Sequence, residues 1–140
     1  MSVALDTNVI VNVVSGTRDA AGRAVAALTE HSSRVGLVIS PIVYAELFAH
    51  PRWRPADVDE FLVATSIAVD WNLENRVWIA AGNAFRAYAQ RRTRKRAGMP
   101  RRLLADFVIG AHASVVGTLI TSDADFYRTN FPELHLVCID

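Results

Sequence analysis

Four acidic residues in this 140-residue sequence stand where solvation alone does not account for a carboxylate. Asp6 follows the apolar run Val3-Ala4-Leu5. Glu46 has Ile42 and Val43 one helical turn before it and Leu47 after it. Asp106 opens a helical stretch whose greasy side is Leu103, Leu104, Phe107, Val108 and Ala111. Asp123 comes two residues after Thr121, which closes another short apolar run. A carboxylate bordered by apolar side chains is costly unless something compensates it. Taken singly, each has an ordinary structural reading: Asp6 and Asp123 as caps or turn residues, Asp106 as a first-turn acid favoured by the helix dipole. Asp125, beside Asp123, competes with it for the same role. Taken together, the four would raise each other's pKa unless a cation intervened. His31, His50, His112 and His135 show no metal-ligand spacing, so the donor set is all oxygen. Such a set suits a hard cation, Mg²⁺ or Mn²⁺. That ion's chemistry is to bridge phosphate oxygens and lower the pKa of a water molecule.

The elements that must position these acids alternate. Val3-Ala4-Leu5 reads as a strand, and Asn8 to Val14 and Arg18 to His31 as helix. Gly36-Leu37-Val38-Ile39 is a second strand. Ser40-Pro41 then has the form of an N-cap followed by Pro at N1, opening a helix to about His50. After the break at Pro51-Arg52-Trp53-Arg54-Pro55, Asp57 to Ala64 is helical and Ser66 to Val69 is a third strand. A long helix runs from about Glu74 to Arg94, ended by Gly98 and Pro100. Leu103 to Val116 is helix, Thr118 to Thr121 strand, and Leu136 to Ile139 the last strand. Short strands apolar on both sides, alternating with helices, predict an α/β fold: a three-layer α/β/α sandwich on a mostly parallel sheet, as one domain over residues 1–140. In such sheets chemistry gathers at the carboxyl ends of the strands. Asp6 and Asp123 hold equivalent positions there. Asp106, Gly110 and Ala113 share one stripe of their helix, and the small residues would let it approach a strand closely.

Fifteen Lys and Arg oppose fourteen Asp and Glu, a formal net charge of +1. The near balance conceals an acid-free segment from Asn75 to Ala105 that carries nine of the fifteen cations. Arg91, Arg92, Arg94, Lys95, Arg96, Arg101 and Arg102 crowd its end, just before Asp106, where they could neutralise phosphates. No apolar run approaches the roughly 20 residues of a membrane span. The first residues lack the form of a signal peptide, and the lone Cys138, in an apolar run, reads as a buried inert thiol. A cytoplasmic location is expected. Trp53 is expected at a core edge or in a dimer contact, with stacking on an unpaired base the other reading; Trp71 and Trp78 are expected as packing residues, and His50 at the surface or in packing.

The segments Leu5-Asp6-Thr7-Asn8-Val9, Val43-Tyr44-Ala45-Glu46-Leu47, Ala105 to Ala113 and Thr121-Ser122-Asp123-Ala124-Asp125-Phe126 occur in an order that resembles the PIN-domain family, and within it the VapC-like toxin ribonucleases. The resemblance spreads from residue 5 to 126. It implies a Mg²⁺-dependent endoribonuclease that leaves 5′-phosphate and 3′-hydroxyl ends. Asp6, Glu46, Asp106 and Asp123 would be its acidic set, with Asp6, Asp106 and Asp123 as metal ligands. Thr7, Asn8 and Thr121 would support the acids by hydrogen bonding. The resemblance also implies a homodimer and a cognate antitoxin of a toxin–antitoxin pair.

Two other readings compete. Phosphoryl transfer of the haloacid-dehalogenase type also uses an aspartate after a first strand, but wants a second acid two residues on, where this chain has Asn8. A non-catalytic RNA-binding module on a nuclease fold would have no need of all four acids.

Overall fold

The computed structural model describes residues 2–96 and 102–140. The helix stop expected at Gly98 and Pro100, and the basic Arg101, lie outside the described residues. Strand β1 (Ser2–Leu5) leads into α1 (Thr7–Ser15) and α2 (Arg18–Ser32). Then come β2 (Gly36–Ile39), α3 (Pro41–Leu47), α4 (Pro55–Thr65) and β3 (Ile67–Val69). The second half runs α5 (Asn75–Arg94), α6 (Leu104–Val116), β4 (Thr118–Thr121), α7 (Ala124–Asn130) and β5 (His135–Cys138). The five strands form one sheet in the order β3-β2-β1-β4-β5, and every pairing is parallel. Central β1 pairs Ala4 with Val38 on one side and with Leu119 on the other. Leu5, Ile39, Leu119 and Ile120 are buried, as expected of strands covered on both faces. The architecture is the three-layer sandwich the alternation predicts.

The direction of the chain's progress across the sheet reverses between β1 and β4. Right-handed crossovers therefore place the helices leading from β1 to β3 on one face and those leading from β3 to β5 on the other. Helix α3 touches both α1 and α6. Its start is set by the Ser40 hydroxyl, which accepts from the Val43 amide at 3.3 Å, with Pro41 in the first turn. That cap drives Val43 and Leu47 into the core and leaves Glu46 half-buried. Helix α6 lies against α5, β1 and β4. Gly117 ends it with φ near 115°, a backbone conformation side-chain-bearing residues rarely adopt.

Four expectations are corrected. Helix α7 is absent from the sequence reading; seven residues are too few for a 3.6-residue period to declare itself. The clearance at Gly110 is filled by the ring of Phe131, just after α7, and not by a strand. Cys138 is exposed, because β5 is an edge strand and its burial falls instead on Ile139. Trp71 and Trp78 are 59% and 49% exposed, so neither is a core residue; Trp71 leans edge-on against Tyr44. Trp53 is half-buried against Phe61, at the core edge as expected. His50 is half-buried; its Nδ1 accepts from the Arg52 amide, and its ring lies against Trp53.

Candidate active site

The strand order reverses between β1 and β4, and the crevice outside the carboxyl ends of two such strands is the usual place for a ligand in an open parallel sheet. Asp6 leaves β1 and Asp123 follows β4, one on each side of it. Both occupy helix N-cap positions, Asp6 for α1 and Asp123 for α7, yet neither carboxylate makes the side-chain capping bond.

Asp6 is 6% exposed. Its Oδ2 accepts from the Thr121 hydroxyl at 2.8 Å and from Asn8 Nδ2 at 3.1 Å, and the Tyr127 hydroxyl donates to the same carboxylate. Burial pushes its pKa up to about 6; the hydrogen bonds oppose the rise and the charge of Asp106 adds to it. Thr121 also accepts from the Asp123 amide at 2.9 Å, and Asn8 Oδ1 accepts from the Ser122 amide at 3.1 Å. These bonds stitch the end of β1 to the end of β4, holding the two acids at a fixed separation across the crevice. Thr7 serves the other flank, donating to Glu46 Oε1 at 2.6 Å.

Asp106, in the first turn of α6, stands electrostatically between the others. Its pKa is raised, first by burial; Arg102 opposes this, while Glu46 and Asp123 add to it. The Arg102 guanidinium lies 2.8 Å from Asp123 Oδ2 and 3.8 Å from Asp106 Oδ2, above the Phe126 ring at 4.5 Å. Asp125 faces away, 98% exposed and paired with Arg128 at 2.9 Å. Of the two neighbouring acids, Asp123 is therefore the one turned to the crevice. Among the described residues, no three Asp, Glu, His or Cys side chains are close enough to hold a metal as they stand. The acids feel one another's charge without converging, the arrangement expected of like charges neutralised only in part, here by Arg102.

Tyr127 is the residue the sequence reading missed. It is buried one helical turn after Asp123, and its hydroxyl pKa is pushed up by burial and by the Asp6, Asp106 and Asp123 charges, so it remains a donor. The i, i+4 spacing from Asp123 was a usable signal, had α7 been recognised. Beneath it, Phe85, Tyr88, Phe107, Phe126, Tyr127 and Phe131 form a continuous set of ring contacts.

The basic tract divides. Arg91, Arg92, Lys95 and Arg102 line a cleft of about 470 Å³ between α5 and α7, with Tyr88, Asn130 and Asp125. Arg94 and Arg96 are exposed and line no part of it. Arg91 donates to Asn130 Oδ1 at 2.7 Å, tying the two helices together. Arg102 is at once a wall of this cleft and the counter-ion of the acids.

The PIN domain family model matches residues 3–132. No curated protein matches the chain. Among solved structures, the crystal structure of VapBC2 from Rickettsia felis bound to a promoter DNA fragment superposes with a TM-score of 0.67 at 19% identity, covering 99% of this chain and 98% of that one. VapBC-1 from nontypeable Haemophilus influenzae and FitAcB from Neisseria gonorrhoeae each give 0.64 at 22% identity, again covering 99% and 98%. These likenesses establish the fold, and the family model extends across the whole of the crevice: the chain belongs to the PIN-domain family.

Proposed function

We propose that the chain is a Mg²⁺-dependent endoribonuclease, a single catalytic domain acting as the toxin of a toxin–antitoxin pair. The observation that carries the reading is the set of carboxylates from four separate segments, brought within electrostatic reach of Asp106 at the sheet's reversal point. A fold needs no such concentration of partly buried negative charge, and it is expensive to keep. The oxygen-only donors fit a hard divalent cation, Mg²⁺ or Mn²⁺. Asp6, Asp106 and Asp123 would hold it. When bound, such an ion would lower the pKa of a water molecule and offset charge on the scissile phosphate.

The chain's own residues do the rest. Thr121, Asn8 and Tyr127 aim the Asp6 carboxylate and prevent its rotation. Glu46, held by Thr7, orients the attacking water from the α3 side. Arg91, Arg92 and Lys95 present cations to the phosphate backbone along the α5–α7 cleft, sequence-independent contacts that favour a nucleic-acid substrate. A cognate antitoxin is supported by neighbours solved as VapBC and FitAB assemblies; a homodimer is carried over from the family resemblance. No described helix is long and apolar enough to cross a membrane, which is compatible with action on cytoplasmic RNA.

Incubation of total RNA with the protein and Mg²⁺, followed by mapping of the cut ends, tests the reading. Internal cuts bearing 5′-phosphates are expected, abolished by EDTA and by Asp6→Ala or Asp106→Ala in folded protein. Full activity in both variants would overturn it. Aspartyl-phosphate trapped at Asp6 would favour phosphoryl transfer instead. RNA binding indifferent to EDTA, without cleavage, would favour a binding module.

A further inference from the structure

Arg102 stands out because it belongs to two sites. Its backbone amide donates to the Tyr88 hydroxyl at 3.2 Å, which roots it on α5. Its side chain crosses to the acids, stacks on Phe126 and reaches Asp123 at 2.8 Å and Asp106 at 3.8 Å. The remaining two acids are held differently. Asp6 takes its bonds from Thr121, Asn8 and Tyr127, and Glu46 from Thr7, all neutral donors. The carboxylates closest to a cation are thus Asp106 and Asp123, and that cation is the chain's own. Both pairings are partly exposed, with side chains 29–39% accessible, so each is individually weak and reversible.

We propose that Arg102 is the resident counter-cation of the Asp106–Asp123 pair and competes with the divalent ion for it. When the ion takes the two acids, the guanidinium is released along the wall it already forms in the α5–α7 cleft, where it faces a phosphate. The protein thus keeps its acids apart and partly neutralised without metal, and gains a phosphate contact when metal arrives. This rests on the metal-site reading above, but predicts a sign that reading does not. A guanidinium that merely pre-arranged the acids would strengthen metal binding; one that competes must weaken it.

The test is Mn²⁺ binding to the full chain, by titration calorimetry, for wild type, Arg102→Ala, Arg102→Gln, Arg102→Lys and Asp106→Asn. Loss of the competitor should tighten Mn²⁺ binding by roughly two- to fivefold in both Arg102→Ala and Arg102→Gln, the range of partly exposed ion pairs. Arg102→Lys, which keeps a charge but not the planar fork, should fall between these and wild type. Equal or weaker Mn²⁺ binding in both neutral variants overturns the proposal. If wild type nevertheless binds Mn²⁺ and Asp106→Asn does not, the metal site itself stands. Absence of Mn²⁺ binding in every protein overturns both. Far-ultraviolet circular dichroism of each variant separates a change in affinity from loss of fold, and the two neutral substitutions guard against one failing to fold.

Discussion

At the scale of the residue, Asp6 shows how function is set against stability. Its carboxyl pKa rises from 3.8 to about 6 because burial disfavours the charged form more than the hydrogen bonds from Thr121, Tyr127 and the Thr7 amide favour it. The folded state therefore holds its proton more tightly than the unfolded chain. The stabilisation this brings is present below about pH 4 and is lost as pH rises through about 6. At neutral pH, without metal, the ionised group costs roughly 3 kcal/mol. Asp6→Asn should thus raise the unfolding free energy of the metal-free protein at pH 7, by up to about that amount, while abolishing cleavage. Urea denaturation with EDTA present reads the first effect. A destabilised Asp6→Asn protein would mean that the ionised carboxylate is better solvated than its burial indicates.

His112 has the opposite sign. It is 3% exposed on α6, with Nε2 3.1 Å from Asp70 Oδ2. Burial lowers its pKa, and Asp70 only partly restores it. The unfolded chain then takes up a proton first as pH falls. The stability this group supports is present above about 6.5 and declines as pH drops through the folded-state value. Thermal unfolding between pH 7.5 and 5 should show this acid limb. His112→Asn should flatten it, although it lowers stability at neutral pH by removing a packed ring.

At the scale of the element, α6 and α7 position the crevice jointly. Asp106 comes from the first turn of one, Tyr127 from the middle of the other, and the Phe131 ring sits in the space Gly110 leaves open. A methyl group at Gly110 would overlap that ring, which is packed among Phe107 and Tyr127 and has little room to yield. Gly110→Ala should cost about 1–3 kcal/mol, the usual penalty of overpacking. Adding Phe131→Leu should recover part of it, as coupled neighbours do. Urea unfolding of the single and double variants measures both. Additive losses would show that the two residues do not share one space.

At the scale of the whole molecule, a net charge of +1 hides a dipolar arrangement of acids in the crevice and cations in the adjoining cleft. A single-stranded RNA crossing both would be held by its phosphates on one side and be presented to the acids on the other. Its affinity should fall with salt, with a slope of log K on log salt of about −0.7 for each phosphate neutralised. The double variant Arg91→Ala with Lys95→Ala should flatten that slope by roughly 1.4. Arg94→Ala with Arg96→Ala, on residues outside the cleft, should change it much less. Fluorescence anisotropy with a labelled RNA in EDTA, from low to moderate salt, decides between them.

Much of this was settled by sequence alone, for a local reason. Short apolar runs bounded by turn and cap residues read most simply as strands buried on both faces, and their alternation with helices leaves a parallel sheet as the simplest outcome. The Ser40-Pro41 cap, the strand-end positions of Asp6 and Asp123 and the inward setting of Glu46 follow from nearest neighbours. What distance in sequence concealed was decided only by tertiary structure. Its place nearer the strand end favours Asp123 over Asp125, but that its side chain turns to the crevice follows from where Thr121 is anchored to Asp6, 115 residues away. Cys138 looked buried because its neighbours are apolar, and is exposed because β5 is the sheet's edge. Arg102 looked like one cation among seven. The packing of α5 against α6 brings its guanidinium to Asp123, and a long side chain's partner is chosen by where its root is held, which no local pattern encodes.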